Sequence, residues 1–230
     1  MLILKISILF NFAAFIVGCI QYKYFTKEIK TFFYFVAFGV LTEIYTKFHQ
    51  FFWMKNTMPI GHFYFPAAIL ILGIFYLQVL RNFIKPVYIL TILIAFISYS
   101  IINTIFIQGL FEYASLVASI GALTIFLFSV AFFTKIMVEA KITKLSAEPL
   151  VWINSVLLIY YAGNFFYFTL YNLRLLASME IALLAVKFFG VLNLILYLVI
   201  IISFLMANKN IVKYLQKKSL YKLVNRRKSN

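Results

Sequence analysis

The chain has 230 residues, of which 65% are hydrophobic and 20% aromatic, and only 12% are charged. That profile excludes a soluble globular domain, which needs far more charged surface, and describes a chain whose solvent is largely lipid. The formal charge of +15 matters through its distribution, because loop lysines and arginines orient membrane helices. A lone cysteine, Cys19, excludes an intrachain disulfide framework and any CxxC metal site.

Apolar runs of about 20 residues, long enough to cross some 30 Å of hydrocarbon, recur along nearly the whole chain. They predict spans at 3–21, 31–53, 60–80, 86–107, 113–134, 150–172 and 182–206. The first, "MLILKISILFNFAAFIVGC", has the look of a signal peptide, and "IVGC" resembles a lipoprotein cleavage box. Cleavage at Cys19 would invert every later helix and place the basic loops outside, so the run is read as a retained span. Pro59, Pro86 and Pro149 fall in the first turn of a predicted helix or just before it, where the missing N–H costs least. Ser146 is the expected N-cap of the sixth.

Lysine and arginine counts set the orientation. One side holds Lys23, Lys27, Lys30, Arg81, Lys85, Lys135, Lys141 and Lys144, with eight more from Lys209 to Lys228. The other holds Lys5, Lys47, Lys55 and Arg174. The expected protein is therefore all-α, a polytopic seven-transmembrane-helix bundle with its N-terminus outside and its C-terminus cytoplasmic. The transmembrane domain covers 1–206 and a basic cytoplasmic tail 207–230, in an inner or plasma membrane crossed several times.

In this frame the polar side chains gather in the outer half. Glu43 lies about 15 Å below the outer end of the second helix and Lys47 about 9 Å below it. Gln50 shares their arc of about 60°. On the sixth helix Asn154, Leu157, Tyr161, Asn164 and Phe168 fall within about 80°. His62 and Tyr64 open the third helix, and Asn11 and Lys187 lie at similar depth on the first and seventh. His49 and His62 are expected near the interface. An ionisable group inside a span is costly and should face the bundle interior beside a partner. Glu43 is four residues from Lys47, and Lys187 is its alternative partner. The expectation is an outward-facing polar pocket between helices 2, 3, 6 and 7, with Glu43, Lys187, Tyr161, Asn164, His62, Tyr64 and Lys47 as ligand-binding residues. Asn and Ser side chains also serve as interhelical glue.

Catalytic and cofactor signals are weak. Two histidines cannot ligate two haems, no Cys/His/Asp cluster has zinc spacing, and phosphate-cradling glycine loops are absent. No cofactor and no metal is implied. Lys187 invites comparison with retinal proteins, but it lies too near the outer end, and the third helix carries no carboxylate counter-ion. The tail offers a surface for anionic lipid or for a cytoplasmic signalling partner, and little for nucleic acid.

The segment "PLVWINSVLLIYYAGNFFYF", through Pro149, Trp152, Ile153, Asn154, Tyr161, Gly163 and Asn164, resembles the sixth helix of a family of small bacterial heptahelical membrane proteins. "HFYF", His62 to Phe65, resembles a His-x-Tyr element in that family's third helix. The family often places a carboxylate six residues after the histidine, where this chain has Ala68. The resemblance implies a sensory module working with a separate kinase. Together these readings point to a receptor-like sensor for a small ligand or lipid head group. The rivals are a small-solute transporter or channel, a membrane-embedded lipid enzyme using Glu43 and His62, and a scaffold subunit.

The orientation is directly testable. A fluorescent protein fused after Asn230 should glow in intact cells, and alkaline phosphatase fused after Thr57 should be active. The reverse pattern would place both termini oppositely.

Overall fold

The computed structural model describes residues 2–52, 56–140, 144–169, 171 and 178–228, with residues 2 and 208–228 described by backbone alone. Among these residues there is no strand, and seven helices are long and apolar enough to cross a membrane, the architecture of a multi-pass membrane protein. They are α1 (Leu2–Gln21), α2 (Lys27–Phe52), α3 (Met58–Val79), α4 (Pro86–Ile102), α5 (Ser115–Glu139), α6 (Pro149–Thr169) and α7 (Met179–Lys228). The expected ends of the second and sixth spans, at 53 and 172, lie outside the described residues, as do Lys55, Lys141 and Arg174.

Local chemistry explains where the boundaries move. α2 opens at Lys27 instead of 31: the Lys30 N–H donates to the Thr26 carbonyl at 2.9 Å, and Glu28 sits in the first turn, where the helix dipole favours an acid. α4 follows the expected span only to Ile102 and then widens into a π-helical turn, Asn103–Ile107, closed by the Gln108 N–H on the Asn103 carbonyl at 2.7 Å. α5 outlasts its apolar run because Lys135 donates to the carbonyls of Val79 and Arg81, at 2.7 and 3.0 Å. It stops at Ala140, whose φ of 46° is left-handed. Ser146 is not the N-cap of α6; it belongs to a 3₁₀ turn, Leu145–Ala147, and its carbonyl accepts from Trp152 Nε1 at 3.0 Å. α7 does not end at 206. Its 50 residues form one helix about 75 Å long at 1.5 Å per residue, so the tail continues the last span.

Neighbour contacts arrange α1, α2, α3, α5, α6 and α7 in a closed ring, with α7 returning to α1 and α4 packed outside against α3 and α5. The two ends of the ring differ. Toward the end bearing Gln21, Val79 and Pro149 (the basic side), the interior is solid with Phe32, Leu72, Phe75, Tyr76, Leu80 and Phe204, each fully buried. The Tyr76 hydroxyl bonds Ser129 Oγ at 2.7 Å there, a buried polar pair that the sequence reading did not foresee.

Glycines let the helices approach closely, as small residues do where lipid offers no hydrophobic drive for helix association. A Cβ on Gly73 of α3 would stand 2.4 Å from Leu93 Cδ2 of α4, and one on Gly163 of α6 would stand 2.6 Å from Leu192 Cδ1 of α7. Gly73→Ala should therefore destabilise the protein by about 1–3 kcal/mol, as overpacked cores do. Denaturation in mild detergent would show it, and an unchanged midpoint would mean that Leu93 moves aside freely.

Candidate functional site

The opposite end of the ring, the N-terminal side, is polar inside. On α2 the core-facing stripe runs Phe32, Val36, Val40, Glu43, Lys47, and its burial falls away along that line. Val40 is 2% exposed, Glu43 is half-buried and Lys47 is exposed. The bundle thus opens between α2 and its neighbours just where its polar residues begin. Gly39, one turn before Glu43, brings α2 near two polar groups: a Cβ there would stand 3.8 Å from Asn11 Nδ2 of α1 and 4.0 Å from the Tyr64 hydroxyl of α3.

From the far wall come Tyr160, Tyr161 and Asn164 of α6 and Asn193 and Tyr197 of α7. Tyr64 and Tyr197 both lie within electrostatic reach of Glu43, and Tyr160 lies within reach of Tyr64. Tyr64, Tyr160 and Tyr197 are half-buried, and part of Tyr64 lines a groove between α2 and α3. The Tyr160 hydroxyl donates to Asn193 Oδ1 at 3.2 Å, and Asn193 Nδ2 donates to the Phe189 carbonyl at 2.8 Å. Asn164 is fully buried, and although the Tyr160 hydroxyl one turn earlier is close enough to interact with it, neither amide atom completes a well-formed hydrogen bond; the Oδ1 of buried Asn11 is likewise unbonded. Buried amides are almost always paired; the Oδ1 atoms of Asn103 and Asn154 are unbonded too, and Asn164 stands apart in lacking a well-formed bond at both of its atoms.

The structure gathers some of the expected site residues and separates others. Asn154, Leu157, Tyr161, Asn164 and Phe168 are all buried, as their common arc on α6 implies. Lys187 is not in the site. It is exposed, and nine residues separate it from fully buried Leu196, which at 100° per residue puts it about 180° away, on the outer surface of α7. Among the described residues neither Lys47 nor Lys187 makes a contact-distance ion pair with Glu43, but Lys47, one turn on, lies within electrostatic reach of it, as the i, i+4 spacing implies. Lys47 stands at the mouth.

His62 is also elsewhere. Two positions along a helix are about 200° apart, so Tyr64 faces α2, its ring stacked on Phe38, while His62 faces α4 and the loop before α5. His62 is buried, with Nδ1 2.9 Å from Thr104 Oγ1 and Nε2 3.0 Å from the Glu112 carbonyl. That carbonyl can only accept, so Nε2 carries a proton. The Thr104 hydroxyl also lies 3.0 Å from the Ser100 carbonyl, and its one proton serves either that oxygen or Nδ1. Beside it Gln108 donates to Ser115 Oγ at 2.9 Å and accepts from Asn103 Nδ2 at 3.2 Å. This network clasps α3, the π turn and α5 together. Thr104, Gln108 and Glu112 carried no signal in the sequence, since their partners are 42 and 50 residues away or depend on the π turn. His49 lines a separate apolar groove of about 460 Å³ between α2 and α3, with Phe38, Tyr45, Phe63 and the ring of Tyr64. No group of three or more His, Cys, Asp or Glu among the described residues is placed to hold a metal ion.

The chain matches no protein-family model, and neither a curated protein nor a solved structure is significantly similar to it. The likeness noted for α6 and for His62 to Phe65 therefore rests on those residues alone.

Lys187→Leu should shift unfolding by less than about 0.5 kcal/mol, as outward-facing substitutions do. His62→Leu should cost about 1–3 kcal/mol by stranding its buried partners. Equal losses in paired denaturation curves would put Lys187 back in the interior.

Proposed function

We propose that the protein is a receptor-like membrane sensor whose interior cleft binds a small ligand or lipid head group. The observation that carries this reading is Asn164: fully buried, beside the Tyr160 hydroxyl but without a well-formed hydrogen bond at either amide atom, and near half-buried tyrosines. A purely structural asparagine would be bonded to a neighbouring helix, as Asn193 is to Tyr160. A ligand that bridges Asn164 on α6, Asn11 on α1 and Glu43 on α2 would interact differently with two arrangements of those helices. That difference is what shifts their populations.

The aromatic plug on the basic side argues for sensing over conduction. Phe32, Phe75, Tyr76 and Phe204 are fully buried on the basic side, which favours a pocket closed at that end over an open pore. The long helical continuation of α7 offers a lever on the far side. On the orientation that the basic loops favour, this lever reaches into the cytoplasm, where a signalling partner would meet it.

Native mass spectrometry of protein purified gently from its own membranes tests the reading. A co-purifying small molecule is expected, and Asn164→Leu should lose it while remaining folded. If Asn164→Leu keeps every bound molecule, the cleft is packing and the reading fails. Solute flux in proteoliposomes would replace sensing by transport.

A further inference from the structure

The groove between α2 and α3 lies apart from the cleft. Its α2 wall is one stripe, Phe38, Leu41, Thr42, Tyr45 and His49, confined to an arc of about 100°. Glu43 and Lys47 lie about 140° and 180° round the helix from Phe38, so the groove and the cleft use different faces of α2. The outer rim of the groove is exposed, Leu41 at 63% and Phe63 of α3 at 71%, and in a membrane it meets acyl chains. Its deep end is marked by the rings of Phe38 and Tyr64, stacked 5.6 Å apart. Between Phe38 and His49 the helix rises about 16 Å, close to half of the roughly 30 Å of hydrocarbon in a bilayer. The groove thus runs the depth of one leaflet, with aromatic walls inside and an imidazole near the end of α2 at Phe52.

That imidazole has hydrogen-bonding capacity left. The His49 Nδ1 is shielded from solvent and has no hydrogen-bond partner among the described residues, and the ring rests against Tyr45 with centroids 6.0 Å apart. Rotation about its broad Cβ–Cγ torsion turns a ring nitrogen toward a guest. The Thr42 hydroxyl, by contrast, already donates to the Phe38 carbonyl at 2.9 Å. No lysine or arginine is among the described lining residues, which suits a neutral oxygen acceptor better than a carboxylate. A volume of about 460 Å³, apolar walls and a few placed polar groups are the marks of a ligand site. We propose that the groove binds a diacyl phospholipid of the adjoining leaflet, one acyl chain lying along the α2 stripe and its ester carbonyl accepting from His49. The site stands independently of the cleft reading.

The test is native mass spectrometry of the full chain, delipidated in mild detergent and titrated with dioleoylphosphatidylcholine, whose head group has no net charge to draw it to the basic tail. Saturable retention of the lipid is expected. Leu41→Trp, which fills the groove from an exposed position, should weaken it at least about tenfold. Ile94→Trp, at a 67% exposed position of α4, should leave it unchanged. The dialkyl ether analogue, which lacks ester carbonyls, should bind about two- to tenfold more weakly than the ester, the worth of one hydrogen bond. In His49→Phe that preference should vanish, with the ester weakened to match. Asn164→Leu should keep the phospholipid even where it loses a molecule from the cleft. If Leu41→Trp retains the lipid as the unmodified chain does, or Asn164→Leu loses it, the groove is not the site and the proposal falls. Equal binding of ester and ether, or displacement by equimolar oleic acid, overturns the assigned chemistry. So does a dimer that phospholipid disperses and Leu41→Trp prevents, which would give the groove to a second copy of the chain.

Discussion

Hydrocarbon offers no hydrogen-bond partner, and the rest of this structure follows from that. A chain that is 65% hydrophobic can cross the bilayer only with every backbone N–H and C=O satisfied internally, which means helices. The few polar side chains within those helices must then turn toward one another. Here that demand closes six helices into a ring through the α1–α7 contact, buries Asn11 and Asn164, and pairs Tyr160 with Asn193 between α6 and α7. The lipid-facing surface is left to exposed Leu, Ile and Phe, such as Leu9, Ile94 and Phe166. A polar cleft is the by-product of keeping polar groups out of lipid. Whether it binds anything depends on how far those groups satisfy each other, and Asn164 is not satisfied.

Rigidity is unevenly spread, in a way that suits a responsive bundle. At the N-terminal side, α3, the π turn and α5 are tied by His62, Gln108 and Ser115, and Phe65, Tyr113 and Phe168 meet edge-on or tilted across the start of α3, the loop and the end of α6. The C-terminal half of α2 has no such hydrogen-bonded clasp to another helix among the described residues. Leu41, Ile44, Tyr45, Phe48 and Phe51 are all at least half exposed, with Phe51 at 82%. Segments with few buried contacts open at the lowest free energy. The helix end that carries Glu43 is thus the wall best able to move, against a far wall held in place.

Much of this was legible beforehand. The seven spans follow from run length alone, because hydrophobic thickness fixes the length a helix needs, and the buried arc of α6 follows from a period of 3.6 residues. Charge pairing was misread at Lys187. An ammonium within a span looked like a partner for Glu43, but it sits on the opposite face from Leu196, with a stem long enough to carry its head toward the interface. His62 and Tyr64 looked like one element because they are neighbours in sequence, and the helix turns them to different sides.

What the sequence determined by itself is the class of object: a helical membrane bundle, its span number, and the basic bias of its loops. These depend on composition and on one-dimensional lengths. The tertiary structure alone decided which polar residues meet. It brought Asn11 of α1 and Tyr64 of α3 to the α2 backbone at Gly39, took His62 away to a clasp, and left Lys187 outside. The physical reason is that a helix's inward direction is set by packing against neighbours far along the chain, and a shift of two residues in that direction moves a side chain from cleft to lipid.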